Sequence, residues 1–174
     1  MCRSALVLLA VLFSFPVEAK NQQCYSAAEL EAEMLVRLHS ELMVVTLSCR
    51  TSSTGQPLPA VYTLFTKNHL DLIKGSEKSL IAWYSRNGVA APQSKFDKLR
   101  TSLANAYSQQ IADMTPVVFC DRYRDYASTA GQWGAKEVSS EVQNLIKTYP
   151  AHAPLCEAAA EKGKTVAKAK NKKS

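Results

Sequence analysis

Long hydrophobic runs are almost missing from this sequence. A transmembrane helix needs about 20 consecutive apolar residues, whereas the run Ala5–Phe13 (ALVLLAVLF) is much shorter. It follows a start with one positive charge, and a small-residue cleavage pattern that ends at Ala19 comes after it. This order is typical of a signal peptide. We therefore expect residues 1–19 to be cleaved, the mature chain to begin at Lys20, and no transmembrane segment to remain.

Short catalytic and ligand-binding motifs are missing as well. The six glycines are scattered and form no glycine-rich phosphate loop. The chain contains no G-x-S-x-G, no S-x-x-K and no C-x-x-C, which are local signs of serine or thiol chemistry. It also has no specific nucleic-acid motif. On this basis the sequence predicts no catalytic residue and no cofactor.

Histidine is scarce, and its neighbours are poor metal ligands. Two ligands on one helix face must lie three or four residues apart. His39 has only apolar residues at those positions, and His69 has only Thr66 as a weak candidate. His152 lies in a loop bounded by prolines. We therefore predict structural or surface roles for the three histidines and no metal site.

The sequence has few cysteines, and the predicted mature chain holds an even number of them. Cleavage removes Cys2 and leaves four cysteines, which in an exported protein indicates two disulfides. The four are Cys24, Cys49, Cys120 and Cys156. No asparagine lies in an N-x-Ser/Thr sequon, which favours a bacterial envelope or secreted protein over a eukaryotic one.

Helix geometry narrows the three possible pairings of these cysteines. A continuous helix between Cys24 and Cys49 would separate them by roughly 37 Å, whereas a disulfide needs Cα atoms within about 7 Å. That excludes Cys24–Cys49 and leaves two full pairings. We favour Cys49–Cys120 with Cys24–Cys156, because the second bond joins the two ends of the folded region, which often lie close together. A simple antiparallel hairpin of the fifth and sixth predicted helices would conflict with this pairing, because Cys120 and Cys156 would then lie at the same end of the bundle.

Apolar residues recur at helical spacing along most of the chain, with no convincing strand pair. A capping box at Ser26–Glu29 opens a first helix that can run to Cys49. The later patterns predict a second helix that ends near Gly75, a third that ends at Asn87-Gly88 and a fourth that begins at about Ser94. A fifth helix should begin at Pro116, with Thr115 as its N-cap, and end at Gly131. A sixth should end before Pro150, and a short seventh should begin at Pro154. Most aromatic residues fall on these stripes, which indicates core packing of Trp83, Tyr84, Tyr107, Tyr123 and Trp133. The prediction is an all-α, disulfide-stapled bundle of about six helices over residues 20–161.

Charged residues form a second row along the first helix. Glu29, Glu33, Arg37 and Glu41 are four residues apart, which indicates one solvated face with Glu33–Arg37 and Arg37–Glu41 ion pairs. The segment Asp121–Asp125 is interpreted in the same way, with pairs three residues apart.

The charge of the chain is concentrated at its end. Residues 20–161 hold 14 Lys/Arg and 14 Asp/Glu, so their formal charges cancel. Residues 162–174 hold six lysines and no acid, and such a composition predicts a disordered tail. Two interpretations of the tail remain open: a solubilising end with no specific partner, or a candidate anion-binding segment for envelope polymers or a membrane surface. Its lysines are Lys162, Lys164, Lys168, Lys170, Lys172 and Lys173.

Three short segments carry a resemblance to known proteins. They are 41–49 (ELMVVTLSC), Phe96-Asp97 and Leu103-Ala104-Asn105. They resemble small exported helical proteins of bacteria that are uncharacterised. The resemblance implies a bacterial, exported protein and no particular activity.

Two functions remain open at this point. The first is a non-enzymatic periplasmic or secreted protein that acts by binding, such as an envelope-associated adaptor or chaperone-like factor. The alternative is an all-helical secreted enzyme whose active site is assembled from several helices. A buried cluster of Arg, Glu or His in a concave pocket would favour the enzyme, and a large exposed apolar groove would favour the binding protein.

Overall fold

Six helices make up almost all of the folded part of the chain. A computed structural model describes residues 23–156. Its helices are α1 (Ala27–Cys49), α2 (Leu58–Asn68), α3 (Leu70–Arg86), α4 (Pro92–Met114), α5 (Pro116–Thr129) and α6 (Ala135–Thr148), with a 3₁₀ turn at Ala130–Gln132. The described residues form no strand beyond two isolated bridges, and no helix among them is long and apolar enough to cross a membrane. The predicted all-α bundle is therefore confirmed.

Helix α1 is continuous and occupies the centre of the bundle. Its predicted capping box is present: Ser26 Oγ accepts from the Glu29 N–H, and the Glu29 carboxylate accepts from the Ser26 N–H at 2.9 Å. The helix contacts each of the other five helices. Thirteen of its 23 residues are buried, more than a single helix face can supply. The polar residues among them consequently need partners inside the protein.

The predicted end of the second helix near Gly75 is wrong. The chain breaks instead at His69, between α2 and α3, and Gly75 lies inside α3. His69 is buried, its Nε2 lies 3.0 Å from the carbonyl oxygen of Trp133, and its ring packs against Phe65. The hydrogen-bond partner, Trp133, lies 64 residues away in sequence. A glycine inside a helix costs only about 1 kcal/mol relative to alanine, so Gly75 does not end α3.

The later helix ends follow the sequence pattern more closely. Helix α5 begins at Pro116 and a 3₁₀ turn containing Gly131 follows it. A Cβ on Gly131 would lie 3.2 Å from a side-chain carbon of Val61, so the close approach to α2 favours glycine. The predicted N-cap at Thr115 is wrong as a side-chain cap: only its backbone oxygen accepts, from the Phe119 N–H. Likewise α4 begins at Pro92, two residues before the predicted Ser94.

The two disulfides have the pairing that the sequence favoured. Cys49 and Cys120 join the end of α1 to the first turns of α5, with Cα atoms 5.4 Å apart. Cys24 and Cys156 join the two ends of the described chain, with Cα atoms 4.9 Å apart. Such bonds indicate an oxidising, exported environment.

The path of the chain after α6 explains how the observed disulfide pairing is possible, although a simple hairpin of the fifth and sixth helices would conflict with it. Residues 149–155 return along α1 to its N-terminal end, where Pro154 accepts a hydrogen bond from the Tyr25 N–H at 2.8 Å. The Cys156 N–H then donates to the Tyr25 oxygen at 2.9 Å. Cys156 therefore reaches Cys24 although Cys120 lies at the other end of α1. The predicted signal peptide (1–19), the Lys-rich tail (162–174) and all but the first residues of the seventh helix lie outside the described residues.

Candidate functional site

The polar row on α1 is buried, so its interpretation as a solvated face is wrong. The exposed fractions are 7% for Glu29, 1% for Glu33 and 6% for Glu41. Arg37 makes no ion pair with Glu33 or Glu41 within residues 23–156, and its guanidinium instead lies 4.6 Å from the centre of the Tyr149 ring. Helix spacing placed the four residues on one face correctly. It could not show that the face is covered by α3, α4, α6 and the segment after α6.

Each buried carboxylate of the row has its own partners. Glu29 pairs with Arg86 of α3 as well as capping α1. Burial disfavours its ionisation, but the hydrogen bonds from Arg86 and Ser26 outweigh that effect and lower the pKa of Glu29. Glu41 accepts a hydrogen bond from the Tyr107 hydroxyl at 2.9 Å. Burial nevertheless raises the pKa of Glu41 and of that hydroxyl.

Glu33 holds the chain segment that follows α6. Both of its carboxylate oxygens lie 3.0 Å from the His152 backbone nitrogen. Together with burial, its negative charge also raises the pKa of Tyr25, whose ring packs edge-on against Trp83 at 4.8 Å. A carboxylate that sequence analysis placed in water thus anchors residues 150–156 to α1.

A concave pocket lies directly beside this anchor, between α3, α4 and the segment after α6. We call it the lysine-rimmed pocket; its volume is about 470 Å³. Its floor includes the buried rings of Trp83 and Tyr84, and Lys95 and Lys98 lie on its α4 side. The lining residues are Trp83, Tyr84, Val89, Lys95, Lys98, Leu99, Ser102 and His152. The volume falls within the range of about 300–1,000 Å³ typical of ligand sites.

The floor and one wall of this pocket are fixed by the terminal disulfide region. The Trp83 indole N–H donates to the Cys24 carbonyl at 3.0 Å. The wall at His152 is held by Glu33 and is followed within four residues by Cys156, which is bonded to Cys24. The concavity is therefore largely preformed.

The electrostatics of the lysine-rimmed pocket favour negative charge. Its lining holds two lysines and no carboxylate, and neither lysine forms an ion pair within the described part of the chain. Glu33 lies behind the wall, sealed from solvent. Two exposed ammonium groups three residues apart on one helix can act together on one anionic group.

A second concavity is lined by His39, whose imidazole is held by hydrogen bonds. We call it the His39 pocket; it has a volume of about 380 Å³ and lies between α1, α2 and α4. His39 Nε2 lies 2.9 Å from the Tyr62 hydroxyl and 3.2 Å from Thr66 Oγ1, and its ring stacks on Tyr62. Burial, with the positive charge of Arg100 as a second cause, lowers the pKa of His39 to about 4. Its lining residues are His39, Ser40, Met43, Tyr62, Arg100, Thr101 and Ala104.

We expect His39 to make the fold less stable as the pH falls from 6.5 to 4. The unfolded chain gains a proton on this imidazole near its ordinary pKa of 6.5, whereas the folded protein does so near 4. The folded state therefore binds fewer protons in that window, and up to about 3 kcal/mol is lost as the pH falls. Replacement His39→Gln keeps a polar atom near Nε2 without a titrating group, so it should flatten this part of the stability profile. Urea unfolding at pH 7, 5.5 and 4 measures the effect.

The matched control for this prediction is His152→Gln, because it makes the same replacement at an exposed position. If His39→Gln and the unmodified protein lose stability equally between pH 6.5 and 4, the assigned role of His39 is wrong.

The remaining predicted positions have ordinary structural roles. His69 packs between α2 and Trp133 as described above, and no group of three or more metal-ligating side chains occurs among residues 23–156. Asp121 pairs with Arg124 at 2.8 Å as expected. The predicted partner of Arg122, Asp125, instead accepts hydrogen bonds from Ser53.

Core packing is confirmed for three of the five aromatic residues, Trp83, Tyr84 and Tyr107, which are buried. Tyr123 and Trp133 are partly exposed and pack against the core.

Sequence reasoning missed both pockets. The spacing of Lys95, Leu99 and Ser102 places them on one face of α4. This shared face was the only local indication of the lysine-rimmed pocket. The opposing walls come from residues far away in sequence. The predicted tail lysines lie outside the described residues. Comparison of the chain with protein-family models, curated proteins and solved structures finds no match.

Proposed function

We propose that this chain is a non-enzymatic, exported bacterial protein of the periplasm or the medium that acts by binding phosphate-bearing ligands. The observation that carries the proposal is the lysine-rimmed pocket, a preformed concavity with two exposed ammonium groups and an aromatic floor. Phosphate groups of anionic lipids, or soluble phosphate monoesters, have the required charge. An envelope-associated adaptor or chaperone-like factor would use such a site to attach to the membrane surface.

Two further features support an envelope role. The disulfides match an oxidising compartment. The tail of residues 162–174 adds six positive charges at the same end of the chain as Cys156, whose disulfide lies beside the pocket. Clustered lysines next to an anionic membrane contribute about 1 kcal/mol each to binding, so pocket and tail would act on the same surface.

Co-sedimentation with lipid vesicles tests the proposal. The full mature chain should sediment with vesicles containing phosphatidylglycerol and not with pure phosphatidylcholine, and salt should weaken the binding. The double variant Lys95→Gln/Lys98→Gln should bind about tenfold more weakly or worse, from two lost lysine contacts. Soluble glycerol phosphate should compete if the pocket recognises phosphate alone, and should fail to compete if the lipid surface is required.

The control is Lys74→Gln/Lys78→Gln on α3, because it changes the charge equally at two exposed positions that do not line the pocket. Deletion of residues 162–174 separates the tail from the pocket: the shortened chain should retain saturable binding that Lys95→Gln/Lys98→Gln removes. Equal binding by both double variants in the shortened chain would contradict a role for the pocket.

The enzyme alternative has one specific observation in its favour, the His39 pocket. It contains a half-buried imidazole next to an arginine in a concavity, which an assembled active site would require. The imidazole is bonded to two hydroxyl groups rather than to a carboxylate that would orient it as a base. This arrangement favours binding over acid–base catalysis.

A further inference from the structure

The His39 pocket exposes one hydrogen-bonding atom that the fold leaves unused. His39 Nε2 faces Tyr62 and Thr66, while Nδ1 has no hydrogen-bond partner within residues 23–156. Nδ1 is also absent from the buried polar atoms of those residues that lack a partner, so it retains access to solvent. The fold therefore fixes the ring through Nε2, and the ring lines the pocket.

The pocket is close to neutral in charge. The imidazole is uncharged at neutral pH because its pKa is about 4. The Arg100 guanidinium lies 3.3 Å from Glu77 and 3.9 Å from Asp97, so two carboxylates beside it oppose its positive charge. No carboxylate is among the lining residues. A neutral ligand is consequently favoured here, in contrast to the lysine-rimmed pocket.

The remaining lining combines small polar groups with an apolar wall. Thr101 is exposed and donates its hydroxyl proton to the Asp97 backbone oxygen, which leaves the lone pairs of its own oxygen as acceptors. Ser40 is buried and donates to the Val36 oxygen. Met43, Ala104 and the Tyr62 ring supply apolar surface. A volume of about 380 Å³ is near the lower limit for ligand sites, which suits a small molecule.

We propose that the His39 pocket is a binding site for a small neutral carbohydrate. A sugar hydroxyl both donates and accepts hydrogen bonds, so it can pair with Nδ1 in either tautomer of His39 and with the exposed Thr101 oxygen. The C–H face of a sugar ring can lie on the apolar wall, whose tyrosine ring presents a negative face. The site is independent of the lysine-rimmed pocket.

Titration of the folded chain with D-glucose, N-acetylglucosamine and methyl glucosides, followed by NMR of the His39 imidazole, tests this assignment. At least one sugar should shift the Nδ1 resonance with a saturable dependence. His39→Gln retains a polar atom at the Nε2 position and loses the one at Nδ1, so it should weaken binding about tenfold. His39→Asn places a polar atom near Nδ1 and should bind more tightly than His39→Gln, in a measurement that follows sugar-induced shifts of the surrounding backbone amides.

Lys95→Gln/Lys98→Gln is the control and should leave sugar binding unchanged, which separates this site from the proposed phosphate site. The absence of a saturable shift with every sugar, or equal affinity of the His39→Gln variant, would overturn the assignment. Release of p-nitrophenol from p-nitrophenyl glucosides by the unmodified chain but not by His39→Gln would also overturn it, in favour of an enzyme.

Discussion

Replacement of either disulfide by a pair of alanines will strongly lower the free energy of unfolding. The loop-entropy model gives about 4 kcal/mol for Cys49–Cys120 and about 5 kcal/mol for Cys24–Cys156, because these bonds close loops of 71 and 132 residues. The corresponding fall in melting temperature is roughly 10–20 °C. Urea unfolding of the two double variants, followed by two independent spectroscopic probes, measures both values. A loss below about 1 kcal/mol for both variants would contradict the prediction.

The two disulfide variants should differ in function as well as in stability. Cys24→Ala/Cys156→Ala removes the bond that holds the pocket wall at His152. Cys49→Ala/Cys120→Ala removes a bond at the opposite end of α1, away from this pocket. At a temperature where both variants remain folded, only Cys24→Ala/Cys156→Ala should lose the vesicle binding that the pocket provides. Both variants should keep the binding that the tail provides. Equal loss in both variants would mean that the terminal disulfide has no specific role at the site.

Removal of the buried carboxylate at position 33 is expected to destabilise the protein by about 3 kcal/mol. Replacement Glu33→Leu deletes the acceptor of the His152 N–H, and a hydrogen bond to a charged group contributes about 1.5–3 kcal/mol. The chain segment that Glu33 holds to α1 also loses its anchor. Thermal and urea unfolding at pH 7 measure the loss.

Glu33→Gln is the informative comparison, because the amide oxygen can still accept from the His152 N–H. It should lose less than half as much stability as Glu33→Leu. The exposed residue Glu31 lies on the same helix, and Glu31→Gln should change the stability by less than about 0.5 kcal/mol. If Glu33→Leu were as harmless as Glu31→Gln, then Glu33 would not be an anchor.

Several features of the fold could be predicted because they depend on local physics or on chain geometry. The span of α1 follows from its capping box and its 3.6-residue apolar period. The length of that helix excludes Cys24–Cys49, and the tendency of chain ends to lie close together favours the observed pairing among the two that remain. The start of α5 follows from the fixed backbone angle of Pro116. Each of these inferences needed only residues that are close in sequence, a distance that a helix imposes, or the tendency of chain ends to lie close together.

The errors share a different origin. The row Glu29, Glu33, Arg37 and Glu41 has the spacing of an exposed face, and nothing in α1 itself distinguishes exposure from burial. The break at His69 depends on the carbonyl of Trp133, 64 residues away. In both cases the deciding contact belongs to another part of the chain, so no local pattern contains it.

The sequence by itself determined that the chain forms a helical bundle with two long-range disulfides, since periodicity, capping and cysteine geometry act locally or through fixed helix lengths. Only the tertiary structure decided which polar residues are buried and where the two pockets lie. The lysine-rimmed pocket joins residues 83–84, 95–102 and 152, and the His39 pocket joins three helices. Burial and concavity are properties of the packed surfaces of distant segments, and those surfaces meet only when the whole chain has folded around α1.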